Sequence, residues 1–128
     1  MAYVTIIVLL ALIQFLYFGV AVGRARARHE VVAPAVAGDE HFERFHRAHQ
    51  NTLEQLIVFI PSAYACAFFA YELLAVACGV GFLIGRTLYF RGYIADPQKR
   101  GTGMLITMLA NVILVAAALL GAVRSALV

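Results

Sequence analysis

Charge is what this 128-residue chain has least of: 13% of its residues are Asp, Glu, Lys or Arg, against 63% hydrophobic. Together with a mean hydropathy of +0.87, that balance excludes an ordinary water-soluble domain. Polar stretches long enough to form an extramembrane domain are missing too. Four apolar runs, at about residues 2–23, 55–72, 73–94 and 102–123, each approach the ~20 residues that cross hydrocarbon. Cysteine is scarce, and Cys66 and Cys78 both sit inside those runs, where a thiol packs as a small hydrophobe. Reactive thiols need an electropositive, partly exposed setting, so no redox chemistry is expected of either. Met1–Thr5 carries no basic residue and no small-residue cleavage site follows, so the first run is expected to stay as a span. That run also lacks any carboxylate. A small proton-coupled exporter of four spans would need one there, which argues against that class.

What charge there is lies in two places. Arg24, Arg26, Arg28, Arg44 and Arg47 surround the first connection, Arg86, Arg91, Lys99 and Arg100 the third, and Arg124 stands alone. Basic connections stay cytoplasmic, which predicts both termini on the far side. The formal net charge of +3 therefore reflects topology and gives no reason to expect nucleic-acid binding. In the first connection, about residues 24–41, Pro34 and Gly38 break the chain before Asp39 and Glu40, acids that suit a helix start. The fold expected is an all-α membrane protein, a four-transmembrane-helix bundle with helices at about 2–24, 40–72, 73–95 and 102–124. Pro61 lies inside the second, where a kink would be tolerated, and Gly79, Gly81 and Gly85 offer close-packing positions on the third.

The second helix carries charge toward the membrane. Phe42–Glu54, FERFHRAHQNTLE, runs without a breaker into QLIVFIPSAYACAFF, and Arg47, Asn51 and Glu54 fall at i, i+4 and i+7 on one face. On the third helix Arg86, Tyr89 and Tyr93 form a second stripe at i, i+3 and i+7. With a hairpin turning near Glu72, Arg86 comes level with about residue 58, and Glu54 is only ~6 Å nearer the basic end. The two stripes are expected to meet, with Glu54 within reach of Arg86.

Such groups are costly at bilayer depth and mark a polar site by default; the alternative is a structural ion-pair network with tyrosines as an interfacial belt. Several cations, one anion, an amide and phenols suit a small zwitterion of net negative charge. Glutathione has that pattern: two carboxylates for Arg, an ammonium for Glu, and peptide groups for Asn. Its thiol would need activating, since lowering a pKa near 8.5 by about two units takes about 3 kcal/mol. The charge pattern alone admits other ligands. His29, His41 and His46 show no recurring ligand spacing, so no metal is expected. Gln14 and Asn111, isolated in apolar runs, are read as interhelical hydrogen-bonding groups.

The two motifs carry a resemblance. FERFHRAHQNTLE before an apolar span, then GRTLYFRGYIADPQKR, resembles the MAPEG family, the membrane-associated proteins of eicosanoid and glutathione metabolism, over nearly the whole chain. The resemblance implies a homotrimer of four-helix subunits with glutathione as co-substrate between subunits near the cytoplasmic face. By motif, Arg47, Asn51, Glu54, Tyr89 and Tyr93 would bind the tripeptide, with Arg86 in support. Arg100, seven residues past Tyr93, stands where an arginine is thought to activate the thiol. Arg26 approximates a further glutathione-contacting arginine. His49 replaces the Gln of the leukotriene branch, as in the microsomal transferase and prostaglandin E synthase branch, and would contact glutathione or move a proton; an interfacial histidine without a role is the other reading. Gln55 stands where the leukotriene branch has tyrosine.

The function these readings imply is a membrane-bound glutathione transferase, and a glutathione-dependent peroxidase by the same thiolate. Its partners would be itself, glutathione, a lipophilic electrophile or lipid hydroperoxide, and the bilayer. A noncatalytic lipid-binding or scaffold member of the family is the alternative.

Overall fold

A computed structural model describes residues 1–128. All of its regular structure is helical: α1 (Ala2–Arg28), α2 (Glu40–Phe69), α3 (Glu72–Ala95), a 3-10 turn at Pro97–Arg100, and α4 (Gly101–Ala126). All four long helices are apolar enough to cross a membrane.

Sequence reading ends the first helix near residue 24, whereas α1 continues through Arg28. Alanine and arginine alternate there, both good helix formers, and Arg26 and Arg28 in the last turn oppose the negative end of the helix dipole. The helix closes when Glu30 enters the left-handed region at φ 54° and the Val31 N–H bonds back to the Arg26 carbonyl at 3.1 Å. Val31 then buries itself with Val22, Ala25 and Phe42.

Asp39 starts α2 by accepting the Phe42 N–H at 2.9 Å. That hydrogen bond holds the Asp39 carboxyl below its usual pKa, and His29, 3.5 Å away, adds to the effect. A lowered folded pKa means that the cap's contribution is present above the ordinary aspartate pKa and is lost as pH falls through the folded value. The protection factor of the Phe42 amide, its exchange rate relative to the unfolded chain at the same pH, is therefore expected to fall in acid. Asp39→Asn, a cap that does not titrate, should remove that pH dependence.

At 30 residues α2 extends about 45 Å, well beyond the ~30 Å of hydrocarbon. It runs unbroken through Pro61, where the Ser62 hydroxyl donates back to the carbonyls of Val58 and Phe59 at 2.7 and 3.1 Å. The turn to α3 is only Ala70 and Tyr71, so Glu72 opens α3 where the sequence reading had it close α2. From there its carboxylate accepts the Val4 N–H at 3.3 Å and ties α1 to the hairpin.

The α2–α3 hairpin is the middle of the bundle, with α1 packed on one flank and α4 on the other, and α1 and α4 make little or no mutual contact. Phe59 stacks on Phe82 at 4.1 Å within the hairpin, and Phe18 of α1 stacks on Phe90 at 3.9 Å. Cys66 and Cys78 are free and lie in this core. Both isolated amides bridge helices: Gln14 donates to the Leu83 carbonyl and to Thr87, each at 2.9 Å, and Asn111 donates to Gln55 at 3.0 Å.

The closest approach of α3 and α4 falls at Gly85 and Gly103, whereas Gly81 has ordinary room, its nearest neighbour Ala110 lying 4.0 Å from an added Cβ. A Cβ on Gly103 would overlap the backbone of Tyr89. Gly103→Ala is therefore expected to lose stability, because an overpacking cost of about 1–3 kcal/mol exceeds the ~1 kcal/mol of helix propensity gained. Gly81→Ala should be neutral or stabilising. Unfolding of the two variants in one detergent checks the contrast.

Candidate functional site

Arg86 is the largest side chain shut completely inside the protein, at 1% exposure. Its Nε donates to Thr107 Oγ1 at 3.1 Å, an Nη reaches Thr52 Oγ1 at 3.5 Å, and its guanidinium lies 4.0 Å over the Tyr89 ring. Both threonines have spent their own protons on carbonyls one helical turn back, those of Gly103 and Ala48, so each has lone pairs left for the cation. The subunit gives Arg86 no carboxylate. Glu54, the partner expected from helical depth, is exposed and unpaired. Thr52 precedes it by two residues, which puts the two on nearly opposite sides of α2. The site thus holds a buried cation whose positive charge is met only by hydroxyls and a ring face, a configuration costly to maintain without an anion.

Tyr89 continues the arrangement. Its hydroxyl accepts from Asn51 Nδ2 at 2.6 Å and gives its own proton to no group of the protein, so that proton remains for an incoming acceptor. Tyr93, one turn on, lies ring to ring with Tyr89 at 5.6 Å and opens into a cleft of about 510 Å³. Arg47, Arg44, His46, Glu40 and Glu43 line the same cleft. Pro97 forms part of its wall, and Arg100 donates through one Nη to the Pro97 carbonyl at 2.7 Å. The rest of the half-buried Arg100 guanidinium has no partner within the subunit.

Asn51, Arg86, Tyr89 and Tyr93 therefore form one chain of contacts; of these Tyr93 lines the cleft together with Arg47, and Arg100 touches its wall through Pro97. Glu54 continues the stripe from Asn51 but is exposed on the outside of the bundle.

Two expected ligand contacts lie elsewhere. His49 turns to the other side of α2 and stacks on Phe15 of α1 at 4.2 Å, in space left by Gly19. Two residues from Arg47 on a helix is roughly 200°, so within one subunit His49 cannot reach what Arg47 reaches. Arg26 is occupied with the α1–α2 connection: its Nη1 donates to the carbonyls of Val31 and Ala35 at 3.3 and 2.7 Å, and its guanidinium lies 4.7 Å over Phe42. It fixes the loop above the cleft and touches none of the converged residues.

Sequence reasoning missed the two threonines and Arg44. Arg44 donates to the Ile94 and Ala95 carbonyls at 3.3 and 3.1 Å and pairs with Glu40, closing the end of α3 and one wall of the cleft. Nothing in the spacing distinguishes Thr107 from other small polar residues on α4. His29 and His41 stack at 5.6 Å, and no group of three His, Cys, Asp or Glu side chains gathers to hold a metal.

With this geometry in view, the sequence model of the MAPEG family matches residues 3–120. An uncharacterized protein of Synechocystis sp. is 41% identical over 115 residues, 90% of this chain and 84% of that one. Microsomal glutathione S-transferase 2 of Homo sapiens is 36% identical over 100 residues, 78% of this chain and 68% of its own length. Leukotriene C4 synthase of Cavia porcellus is 33% identical over 115 residues, covering 90% and 77%.

Proposed function

This chain belongs to the MAPEG family, and on that premise we propose that it is a membrane-bound glutathione transferase working where the Asn51–Tyr89–Arg86 cluster meets, through Tyr93, the cleft lined by Arg47. One observation carries the reading: the membrane-buried Arg86, without an acidic partner, stands one aromatic ring away from a phenol whose proton is unspent. An anionic tripeptide supplies the missing partner. Its carboxylates fit Arg47 and the Tyr89 hydroxyl, and its peptide groups fit Asn51.

The thiol takes the Arg100 side of the cleft, where the unpartnered part of the guanidinium stabilises a thiolate. The thiol proton leaves to water at the cleft mouth. The sulfur lone pair then forms a carbon–sulfur bond with a lipophilic electrophile arriving through the bilayer, and the electrons of the broken bond go to its leaving group. With a lipid hydroperoxide the same thiolate breaks the oxygen–oxygen bond, releasing an alcohol and leaving a sulfenate for a second glutathione to resolve.

Glu54 supports assembly into a homotrimer. It is exposed on the subunit at a depth where an unpaired carboxylate facing lipid is costly, and a second copy would cover it. The glutathione ammonium, or a cation of the neighbouring subunit, would then meet it. Arg26 and His49 reach a ligand only from that neighbouring copy. The basic end of the bundle, and the cleft with it, faces the cytoplasm by the positive-inside rule.

Titrating glutathione into the detergent-solubilised protein by calorimetry, then adding a generic electrophile, tests the proposal. Binding followed by glutathione-dependent consumption is expected. Binding without turnover leaves the lipid-binding scaffold reading, and no binding removes both the site and the activity.

A further inference from the structure

A second cleft lies between α1 and α3, apart from the residues proposed to bind glutathione. It holds about 710 Å³, within the ~300–1,000 Å³ common for ligand sites, and Leu10, Ile13, Leu83, Phe90 and Ile94 give it an apolar wall. A smaller cleft of about 170 Å³ continues it toward the basic end, the two sharing Tyr17, Ala21 and Phe45. From Leu10 to Arg24 this groove covers about 21 Å along α1, somewhat more than the ~15 Å depth of one leaflet's hydrocarbon.

Its basic end is rimmed by three arginines, Arg91 on the larger cleft and Arg24 and Arg28 on the smaller. All three are exposed, and none has a carboxylate within ion-pairing distance or a hydrogen bond to the protein. Of the other arginines of this end, Arg26 is engaged with the loop carbonyls, Arg44 with Glu40 and the end of α3, and Arg100 with Pro97, while Arg47 lines the separate cleft beside Tyr93. No Asp or Glu lines either cleft, so nothing there favours the ammonium of a choline or ethanolamine headgroup.

We propose that the α1–α3 groove is a binding site for an anionic phospholipid, one acyl chain along the apolar wall and the phosphate held by Arg24, Arg28 and Arg91. Guanidinium groups meet phosphate oxygens with paired hydrogen bonds, and the low dielectric below the headgroup strengthens the contact. The site uses no glutathione residue, so it stands or falls apart from the transferase reading. With about fivefold in affinity for each basic residue at a membrane surface, three residues give roughly a hundredfold at low salt, less as salt screens them.

The experiment reconstitutes the protein in nanodiscs of equal phosphatidylcholine and phosphatidylglycerol, and native mass spectrometry then counts retained lipid after gentle delipidation. The wild-type protein is expected to keep phosphatidylglycerol over phosphatidylcholine by at least tenfold. Arg24→Gln, Arg28→Gln and Arg91→Gln together should bring that ratio near one, the same three positions as Lys should retain most of it, and Lys99→Gln with Arg124→Gln should leave it unchanged. Ile13→Trp, which fills the apolar wall without altering charge, should lower the count of retained lipid. Thermal unfolding and the size-exclusion profile of each variant identify any that fails to fold. A wild-type ratio near one, a preference that survives the triple Gln variant, or a loss shared by the Lys99/Arg124 control would each overturn the proposal.

Discussion

Arg100→Ala is expected to lower the rate of thiolate transfer by about a hundredfold while glutathione affinity changes by a few fold at most. Stabilising a thiolate by about two pKa units corresponds to about 3 kcal/mol, and that energy appears only once the thiol has ionised. The neutral thiol gains little from the guanidinium, so binding is spared. Arg100 also anchors itself through one Nη to the Pro97 carbonyl, which leaves the remainder of the group available at fixed position. Arg100→Lys keeps the charge but loses that anchor, and should fall between the two. Stopped-flow measurement of thiolate absorbance against glutathione concentration separates the two quantities. Equal losses in ionisation and affinity would remove Arg100 from the chemistry and make it a binding residue.

Arg86→Met is the second large effect, and stability and binding should move apart. Methionine approximates the volume of the arginine stem and brings no charge. Removing a cation that has no acidic partner should leave the unfolding temperature unchanged or raised, because exchanging buried charge for packed apolar volume is often neutral or stabilising. Two threonine lone-pair contacts and one ring contact are lost, a modest price. Glutathione affinity, by contrast, should fall at least tenfold, since the positive field beneath Tyr89 disappears. If Arg86 instead serves only to hold α2, α3 and α4 together, the variant loses stability and keeps its affinity. Thermal unfolding and calorimetry on the same preparation distinguish these outcomes.

Much of this architecture was legible in the residues. Four spans followed from hydrophobic runs, and the helix-two start followed from Asp39 and Glu40, because hydrocarbon thickness and capping chemistry act locally. The stripes Arg47–Asn51–Glu54 and Arg86–Tyr89–Tyr93 were legible for the same reason, since helical period fixes which residues share a face. What joined them was not. Helical depth alone favoured Glu54 as the partner of Arg86, yet rotation about α2 gives that place to Thr52, and rotation of one helix against another is a property of packing. Arg26 shows a second limit: its commitment to Val31 and Ala35 depends on a helix end closed by a left-handed glutamate, for which glycine is the usual signal. His49 shows a third. A conspicuous residue between two site residues is, on a helix, turned away from them within its own chain, so a part for it in the site depends on a neighbouring copy.

The overhang of α2 beyond the hydrocarbon has a kinetic meaning. Its first turns carry Arg44, His46 and Arg47 on the cleft, while Leu56 and Phe59 further along lie in the apolar core, so on the proposed reading the cleft sits at the boundary of two solvents. A peptide co-substrate is then governed by its molarity outside, and an oily one by its mole fraction in the leaflet, which partitioning raises far above its overall concentration. On the transferase reading the conjugate, oily at one end and multiply charged at the other, is poorly matched to either phase alone and would be released at the boundary where it forms.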